Sequence, residues 1–202
     1  MTGNESGRER ILDVATRLFA ALGYDGTSTR MIAEAAGLNV ATVAYHVGGK
    51  RDLYLAVMER AHLAERAALE GALAKITFDA EGILTLLDAY IDFCLSRPEI
   101  PALWMHRWLS DASDVAHLEE QYVRPLMEIV VDAARKVVPD GIDIEYAVWT
   151  VIWSTHGFGC GGVLSVDGQR RGREDPDAVA RFRSHMRRTV ALGLGLTDRL
   201  AG

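Results

Sequence analysis

Residues 27–54 read TSTRMIAEAAGLNVATVAYHVGGKRDLY, and this stretch decides the fold of the N-terminal part of the chain. The hydroxyl pair Thr27 and Ser28 is a helix start, since either side chain accepts from amides of a first turn. Gly37 ends that helix, because glycine adopts a left-handed backbone without steric cost. Asn39 is a good N-cap for a second short helix, which ends at the following glycine pair. Two short helices joined by a tight glycine-containing turn predict a helix-turn-helix.

A preceding helix completes a three-helix unit. Its apolar residues recur at the spacing of one helical face, and Gly23 closes it. The apolar residues are Ile11, Leu12, Ala15, Leu18, Phe19 and Leu22. We therefore predict a DNA-binding domain over residues 1–54 and a second domain over residues 55–202.

The combined spacing of these residues resembles the TetR family of transcriptional repressors over roughly the first quarter of the chain. The matching positions are Ile11, Leu12, Ala15, Leu18, Phe19, Gly23, Tyr24, Thr27, Ser28, residues 32–38, Thr42, Tyr45, His46, Lys50 and Leu53. Two positions depart from the family's pattern: Ala44 stands where an aromatic residue is usual, and Val47 where phenylalanine is usual. The first departure puts one backbone contact in doubt, and the second is a smaller core residue.

Polar side chains of this segment suit the two tasks of a DNA-binding protein. Contacts to phosphates fix register, whereas contacts to base edges read sequence. The expected phosphate-binding residues are Thr27, Ser28, Thr42, Tyr45, His46 and Lys50. The expected base-reading residues are Asn39, Val40, Ala41 and Ala44, with Arg30 reaching a guanine edge. Four of these residues have a plainer interpretation, in which Tyr45 and His46 are core residues, Arg30 a solvated charge and Asn39 only a cap.

The composition of the whole chain is that of a soluble globular protein. It has 202 residues, of which 49% are apolar and 25% charged. The polar N-terminus is unlike a signal peptide, and no apolar run approaches the roughly 18–20 residues that span a bilayer. Cys94 and Cys160 are too few for a disulfide framework or zinc module. We therefore expect a cytoplasmic protein that does not contact a membrane.

The net charge of −6 is unusual for a protein that binds nucleic acid. Residues 1–54 contain six Lys or Arg and six Asp or Glu, so this segment is neutral and the excess acid lies after it. An acidic body would leave one face able to dock on DNA. We expect modest affinity per subunit, a need for dimerisation, and binding that weakens with salt.

The remainder of the chain is predicted to be helical, which gives an all-α fold of about nine helices with a C-terminal helical bundle. A helix from Lys50 leaves the DNA-binding unit without a linker, and Pro125 should kink a helix over residues 114–138. The helix that Asp143 caps is apolar on nearly every side, which indicates burial or a shared interface. Residues 166–174 are read as an exposed loop, and no strand is expected. The later helices are expected over about 50–74, 83–95, 101–108, 114–138, 143–163 and 176–195.

An aromatic-rich set of side chains in the second domain predicts a small-molecule pocket, since apolar walls with a few polar tips are typical of such sites. The candidates are Tyr90, Phe93, Trp104, Met105, Trp108, Tyr122, Met127, Trp149, Trp153 and His156. Each one alone is more often a core residue. The family resemblance also implies an inducer pocket, together with a homodimer through the last two helices, at about 143–163 and 176–195.

The sequence contains no nucleophile elbow, phosphate loop or dinucleotide fingerprint. His106 and His156 have no metal-ligand spacing with each other or with the cysteines. We therefore predict no catalytic residues, no metal site and no cofactor.

The favoured hypothesis is a dimeric repressor that binds a near-palindromic double-stranded operator and is released by a small apolar or aromatic ligand. One alternative is a regulator without an inducer, controlled by a partner protein or acting as an activator. The other is a metal-binding or enzymatic helical protein.

Overall fold

The computed structural model describes residues 3–109, 115 and 117–197, and these fold as an α-helical protein. The helices are α1 Gly3–Gly26, α2 Thr29–Ala35, α3 Val40–Val47, α4 Lys50–Leu73, α5 Ala80–Ser96, α6 Glu99–Leu109, α7 Arg124–Arg135, α8 Ile144–Gly161 and α9 Pro176–Gly193. Within the described ranges, these nine α-helices confirm the predicted all-α class. The only strands in the same ranges are β1 Val163–Leu164 and β2 Arg170–Arg171.

The chain divides into two compact units, and helix α4 begins in one and ends in the other. The first unit is Met1–Leu63 with Glu99–Leu118, and the second is Ala64–Pro98 with Glu119–Gly202. The first unit therefore includes α6, which lies far along the chain from the helix-turn-helix. A domain boundary at residue 54 remains a prediction.

The first unit is built around α1, which packs extensively along α6 and also contacts α2 and α3. Its core contains a cluster of three aromatic rings. Phe19 lies 5.1 Å from Tyr54 and 6.2 Å from Tyr24 between ring centroids, and Tyr24 lies 4.9 Å from Tyr54. Tyr54 packs edge-to-face against both other rings, and such packing adds to the stabilisation from area burial. The cluster joins the C-terminal part of α1 to the start of α4.

The second unit has a core formed mainly by α5, α7 and α9, with α8 packed against it. The fully or nearly buried residues are Ala80, Ile83, Leu84, Leu87, Ile91, Ala134, Val137, Val138, Met186, Val190, Ala191, Leu194 and Leu196. Beside this core, Arg187 bonds to Asp88 at 2.6 Å and to Glu81 at 2.7 Å, and Arg183 also bonds to Asp88. These ion pairs join α9 to α5.

Two sequence-based predictions for this part of the chain need correction. The expected helix over 114–138 instead begins with a π-helical segment, Glu119–Val123, followed by α7. Pro125 lies in the first turn of α7, and because its ring excludes a regular bond to the preceding turn, the wider π turn precedes it. Asp114 lies outside the described residues.

The other correction concerns residues 166–174, which were expected to form a loop. β1 and β2 pair as an antiparallel hairpin, with Val163 opposite Arg171 and Leu164 opposite Arg170. The turn between them contains Asp167 and Gly168, a pair that favours hairpins, and Asp167 accepts two hydrogen bonds from Arg171. The strands are too short to show any alternating pattern in the sequence.

Candidate nucleic-acid interface

The two helices of the helix-turn-helix are both capped by side chains three residues ahead of the amide they satisfy. Ser28 Oγ accepts from the Met31 amide at 3.2 Å, and Asn39 Oδ1 accepts from the Thr42 amide at 2.8 Å. Gly37 between them has φ 65°, the left-handed conformation expected at a helix end. Local sequence therefore fixes where α2 and α3 begin and where α2 ends.

Helix α3 has a buried face and an exposed face. Val43 is 1% exposed and anchors the helix, whereas Tyr45 is 80% and Val40 44% exposed. Ala41 and Ala44 are also exposed. Because most of its side chain is exposed to solvent, the interpretation of Tyr45 as a core residue is wrong.

A turn at Gly48 and Gly49 places Lys50 at the start of α4. Gly48 has φ 74°, and a Cβ there would lie 2.7 Å from Asp52 Oδ2, so the position requires glycine. Asp52 in turn accepts from the Gly49 amide at 3.1 Å. The Lys50 ammonium lies 4.2 Å from the centre of the Tyr24 ring, which holds its charge by a cation–π contact.

His46 lies at the end of α3 and packs against the N-terminal part of α1. Its Nε2 is 3.3 Å from the Cβ position of Gly7, and its ring lies 5.4 Å from that of Tyr45. Arg8 follows Gly7 and is exposed. Arg8 is a basic residue near this face that the sequence reasoning missed, although the Gly-Arg-Glu-Arg run was visible.

Thr27 does not fit the phosphate-binding role predicted for it. Its side chain is 2% exposed, and its hydroxyl donates to the carbonyl oxygens of Gly23 at 2.8 Å and Leu18 at 3.2 Å. The only proton of the hydroxyl is therefore used inside the unit. Thr42 differs from Thr27, because its hydroxyl lies on the exposed surface, where it donates to Asn39 Oδ1 at 3.0 Å.

The bend at Gly23 lies between the helix-turn-helix and α6. Gly23 has φ 72° and ψ 176° inside α1, so the helix is kinked there. A Cβ at this position would lie 3.0 Å from Nδ1 of His106, which places the His106 ring directly against the kink. The Gly23 carbonyl also accepts from Thr27, just before α2.

The predicted ligand-binding residues fall in both units. Trp104, Met105 and Trp108 belong to the first unit, where Trp104 is 3% exposed and stacks on Trp108 at 6.0 Å. The others belong to the second unit: Tyr90, Phe93, Tyr122, Met127, Trp149, Trp153 and His156. That these ten residues form a single ligand pocket remains a prediction.

Within the second unit, one pair of predicted residues is in direct contact. Tyr90 Oη and His156 Nε2 are 2.9 Å apart, and His156 is 2% exposed. Trp153 behaves differently, since it is 52% exposed and stacks on Trp149 at 5.5 Å along the outside of α8. An indole half in solvent is not enclosed by its own subunit, so the assignment of Trp153 to an internal pocket does not fit.

Within the described residues there is no group of three or more His, Cys, Asp or Glu side chains arranged to hold a metal ion. In the same part of the chain, every helix is too short or too polar to cross a membrane.

Comparison with known proteins identifies the N-terminal segment. Residues 11–57 match the family described as "Bacterial regulatory proteins, tetR family". This segment is therefore similar to the N-terminal segment of TetR-family regulators. The matched residues include all of α2 and α3 and the turn that carries Lys50, so the similarity covers the surface described above.

Proteins similar to this chain include the HTH-type transcriptional repressor AcnR of Corynebacterium efficiens and of Corynebacterium glutamicum. Each is 35% identical over 68 residues, which covers 33% of this chain and 36% of AcnR. The chain thus matches about a third of the length of these relatives. The family's description is of regulatory proteins and not of enzymes, which agrees with the absence of a catalytic motif in the sequence.

Solved structures extend the similarity to the whole fold. The fatty acid degradation regulator FadR from Bacillus halodurans superposes with a TM-score of 0.69 at 13% identity, covering 96% of this chain and 98% of FadR. The ketosteroid transcriptional regulator KstR2 of Mycobacterium tuberculosis gives 0.68 at 14% identity, covering 91% and 93%. At such identities the likeness establishes a shared fold.

Proposed function

We propose that this protein is a homodimeric transcriptional repressor that binds a near-palindromic double-stranded operator and is released by a small molecule. The single observation that carries the proposal is the exposed face of α3. It lies beside Lys50, on a helix that Asn39 caps and that Val43 anchors to the core.

The proposed phosphate contacts surround the exposed face of α3. Tyr45 and His46 present polar tips, and Ser28 still has its hydroxyl proton to donate because its oxygen is the acceptor in the cap. The Lys50 ammonium supplies charge. These groups would set the register of the protein on DNA.

Base reading is assigned to the exposed N-terminal part of α3 and to Arg30. Val40 and Ala41 are apolar and suit the methyl group of thymine, whereas Arg30 suits the acceptor edge of guanine. Asn39 uses Oδ1 for its cap, so only its amide protons are offered to a base. Few polar reading groups per subunit imply that specificity comes from two copies held in register.

A second copy of the chain is the proposed occupant of the outer face of α8. Tyr146 is 67% and Trp153 52% exposed on this helix, and a Cβ at Gly157 would meet nothing within 4 Å. Apolar surface of this kind is typical of a protein interface. On α9, Leu192 is 64% exposed and follows the exposed arginines Arg181 and Arg188. Two helices from each subunit would form the interface.

Dimerisation would add a second set of DNA contacts, because residues 1–54 of one subunit carry no net charge to hold DNA alone. Two heads on one face of a duplex contact half-sites about one helical turn, ~34–36 Å, apart. A ligand that favours a different spacing of the heads would release the operator by its differential affinity for that state. The repressor sense is supported by the similarity of the N-terminal part of the chain to the transcriptional repressor AcnR.

The DNA-binding proposal is tested by selecting sites from random duplex DNA with the full chain at low salt. We expect enrichment of a near-palindrome. In fluorescence anisotropy, Arg30→Ala should relax specificity at one position per half-site, at a cost of about 1–3 kcal/mol. Arg135→Ala, which changes an exposed arginine of the second unit, is the matched control. Absence of any enriched sequence would refute the proposal.

The dimer proposal is tested by sedimentation velocity. Trp153→Glu should shift the protein to monomer and abolish tight operator binding, because an unpaired charge would be buried between subunits. Leu63→Glu is the control, since Leu63 is 56% exposed but lies on α4. A Trp153→Glu protein that stays dimeric would show that α8 is not the interface.

A further inference from the structure

The N-terminal part of α1 lies against the end of α3. A Cβ at Gly7 would be 3.3 Å from Nε2 and 3.5 Å from Cε1 of His46, so the backbone at residue 7 meets the histidine ring. The same ring lies 5.4 Å from that of Tyr45, which is 80% exposed. The first turns of α1 therefore border the surface on which the proposed phosphate contacts of Tyr45 and His46 depend.

Arg8 follows Gly7 and extends this surface. Because consecutive Cα atoms are about 3.8 Å apart, the Arg8 Cα lies within about 9 Å of His46 Nε2. The Arg8 side chain is 49% exposed. A guanidinium is always charged, and its planar fork can donate two parallel hydrogen bonds to a phosphate. Arg8 therefore adds a long, phosphate-binding side chain at the His46 end of α3.

The acidic residues on the same turns of α1 are held by α4. Arg60 Nη1 lies 2.7 Å from Asp13 Oδ1 and 3.5 Å from Glu9 Oε2. Arg60 Nη2 also donates to Thr16 Oγ1 at 2.7 Å, which fixes the guanidinium between the two helices. The carboxylates of Glu9 and Asp13 are thus directed towards α4.

The contact between Arg8 and Glu9 is a weak competitor for a phosphate. Arg8 Nη1 is 3.8 Å from Glu9 Oε1, near the outer limit of an ion pair, and Glu9 is shared with Arg60. Exposed pairs of this kind contribute little to stability because water screens both charges. Arg8 can therefore exchange Glu9 for a DNA phosphate at small cost.

We propose that Arg8 binds a phosphate of the operator backbone at the His46 end of α3, so that α1 joins α2, α3 and α4 in holding DNA. The inference depends on the proposed function, because it adds a contact to the same surface. A phosphate contact carries no sequence information, so Arg8 would raise the affinity for all duplexes alike.

The first experiment is phosphate ethylation interference on the selected operator, with the full chain and its Arg8→Ala variant. Ethylation removes the charge of one phosphate and blocks a contact made there. We expect Arg8→Ala to become insensitive to ethylation at one phosphate per half-site and to keep the remaining pattern. A pattern identical to that of the unaltered protein overturns the proposal.

Arg17→Ala is the matched control. Arg17 is also an exposed arginine of α1, but it lies ten residues beyond Gly7, or about 15 Å along the helix axis. Its interference pattern should equal that of the unaltered protein. Loss of the same phosphate from both variants would overturn the proposal, because the effect would then follow from net charge and not from a contact of Arg8.

The second experiment measures affinity against salt concentration by fluorescence anisotropy, with the operator and with a random duplex. Loss of two contacts per dimer should make the slope of log K against log salt shallower by about 1.8 for both duplexes. Arg8→Lys keeps the charge and should keep the slope. A loss of affinity confined to the operator would show that Arg8 reads bases, and would overturn the phosphate assignment.

Failure of this inference differs from failure of the proposed function. An unaltered protein that enriches no DNA sequence contradicts the proposed function. An unaltered protein that binds its operator, together with an Arg8→Ala variant of the same interference pattern and salt slope, contradicts only the contact of Arg8. The urea midpoint of Arg8→Ala should equal that of the unaltered protein, because the side chain is exposed.

Discussion

Replacement of Lys50 by alanine should weaken DNA binding in a way that depends on salt and not on sequence. The Lys50 ammonium is held 4.2 Å from the centre of the Tyr24 ring, at the start of α4 and beside α3. A phosphate contact there would be electrostatic and would release a counterion. The variant should therefore lose affinity for the operator and for random duplexes alike.

The size of the effect follows from the number of contacts removed. Each phosphate contact contributes about −0.9 to the slope of log K against log salt, so a dimer that loses two contacts should have a slope shallower by about 1.8. Between 50 and 200 mM salt the affinity advantage of the unaltered protein should therefore shrink by a factor of about 12.

The assay is fluorescence anisotropy of a labelled operator at four salt concentrations. Lys136→Ala is the matched control, because the Lys136 ammonium lies 4.0 Å from the centre of the Phe78 ring in the second unit. It removes the same charge and the same kind of ring contact, and its slope should equal that of the unaltered protein. Parallel lines for Lys50→Ala and the unaltered protein would refute the assignment of Lys50 to a phosphate.

Three further predictions concern single side chains. Thr27→Val should lower the free energy of unfolding by about 1–2 kcal/mol in urea and leave the salt slope unchanged, since the hydroxyl serves α1 and not DNA; a changed slope with normal stability would contradict this. Asn39→Ala should cost about 1 kcal/mol by loss of the α3 cap, while Asn39→Asp should keep the stability and weaken DNA binding by charge repulsion. Because the folded state lowers the pKa of His156 to about 4 from an ordinary 6.5, the folded state binds fewer protons. Stability should therefore fall as the pH drops from 6.5 to 4, by up to about 3 kcal/mol. His156→Leu should flatten that part of a urea-midpoint-against-pH curve, and an unaltered curve would contradict the shift.

The helix-turn-helix could be read from the sequence because its signals are local. Ser28, Gly37 and Asn39 act on amides or backbone angles within three residues of themselves, and each does in the structure what its residue type predicts. The start of α9 was also predictable from a local cap, since Asp175 accepts from the amides of Asp177 and Ala178. Caps and turns need no knowledge of distant parts of the chain.

The roles of Thr27, Trp104 and Trp153 could not be read in this way. Thr27 looked like a surface hydroxyl beside Ser28, but the kink at Gly23 brings a carbonyl oxygen within 2.8 Å of it. Trp104 and Trp153 both belonged to one predicted aromatic cluster. The fold buries the first in the DNA-binding unit and exposes the second on α8.

The sequence by itself determined helices α2 and α3 and the side-chain caps that begin them. Only the tertiary structure decided that α6 packs on α1, that Tyr90 meets His156 and that Trp153 lies outside. The physical reason is the range of the forces involved. A capping side chain bonds to a backbone amide only a few residues away. An apolar stripe shows that one face of a helix will be buried, but the partner that buries it depends on distant parts of the chain.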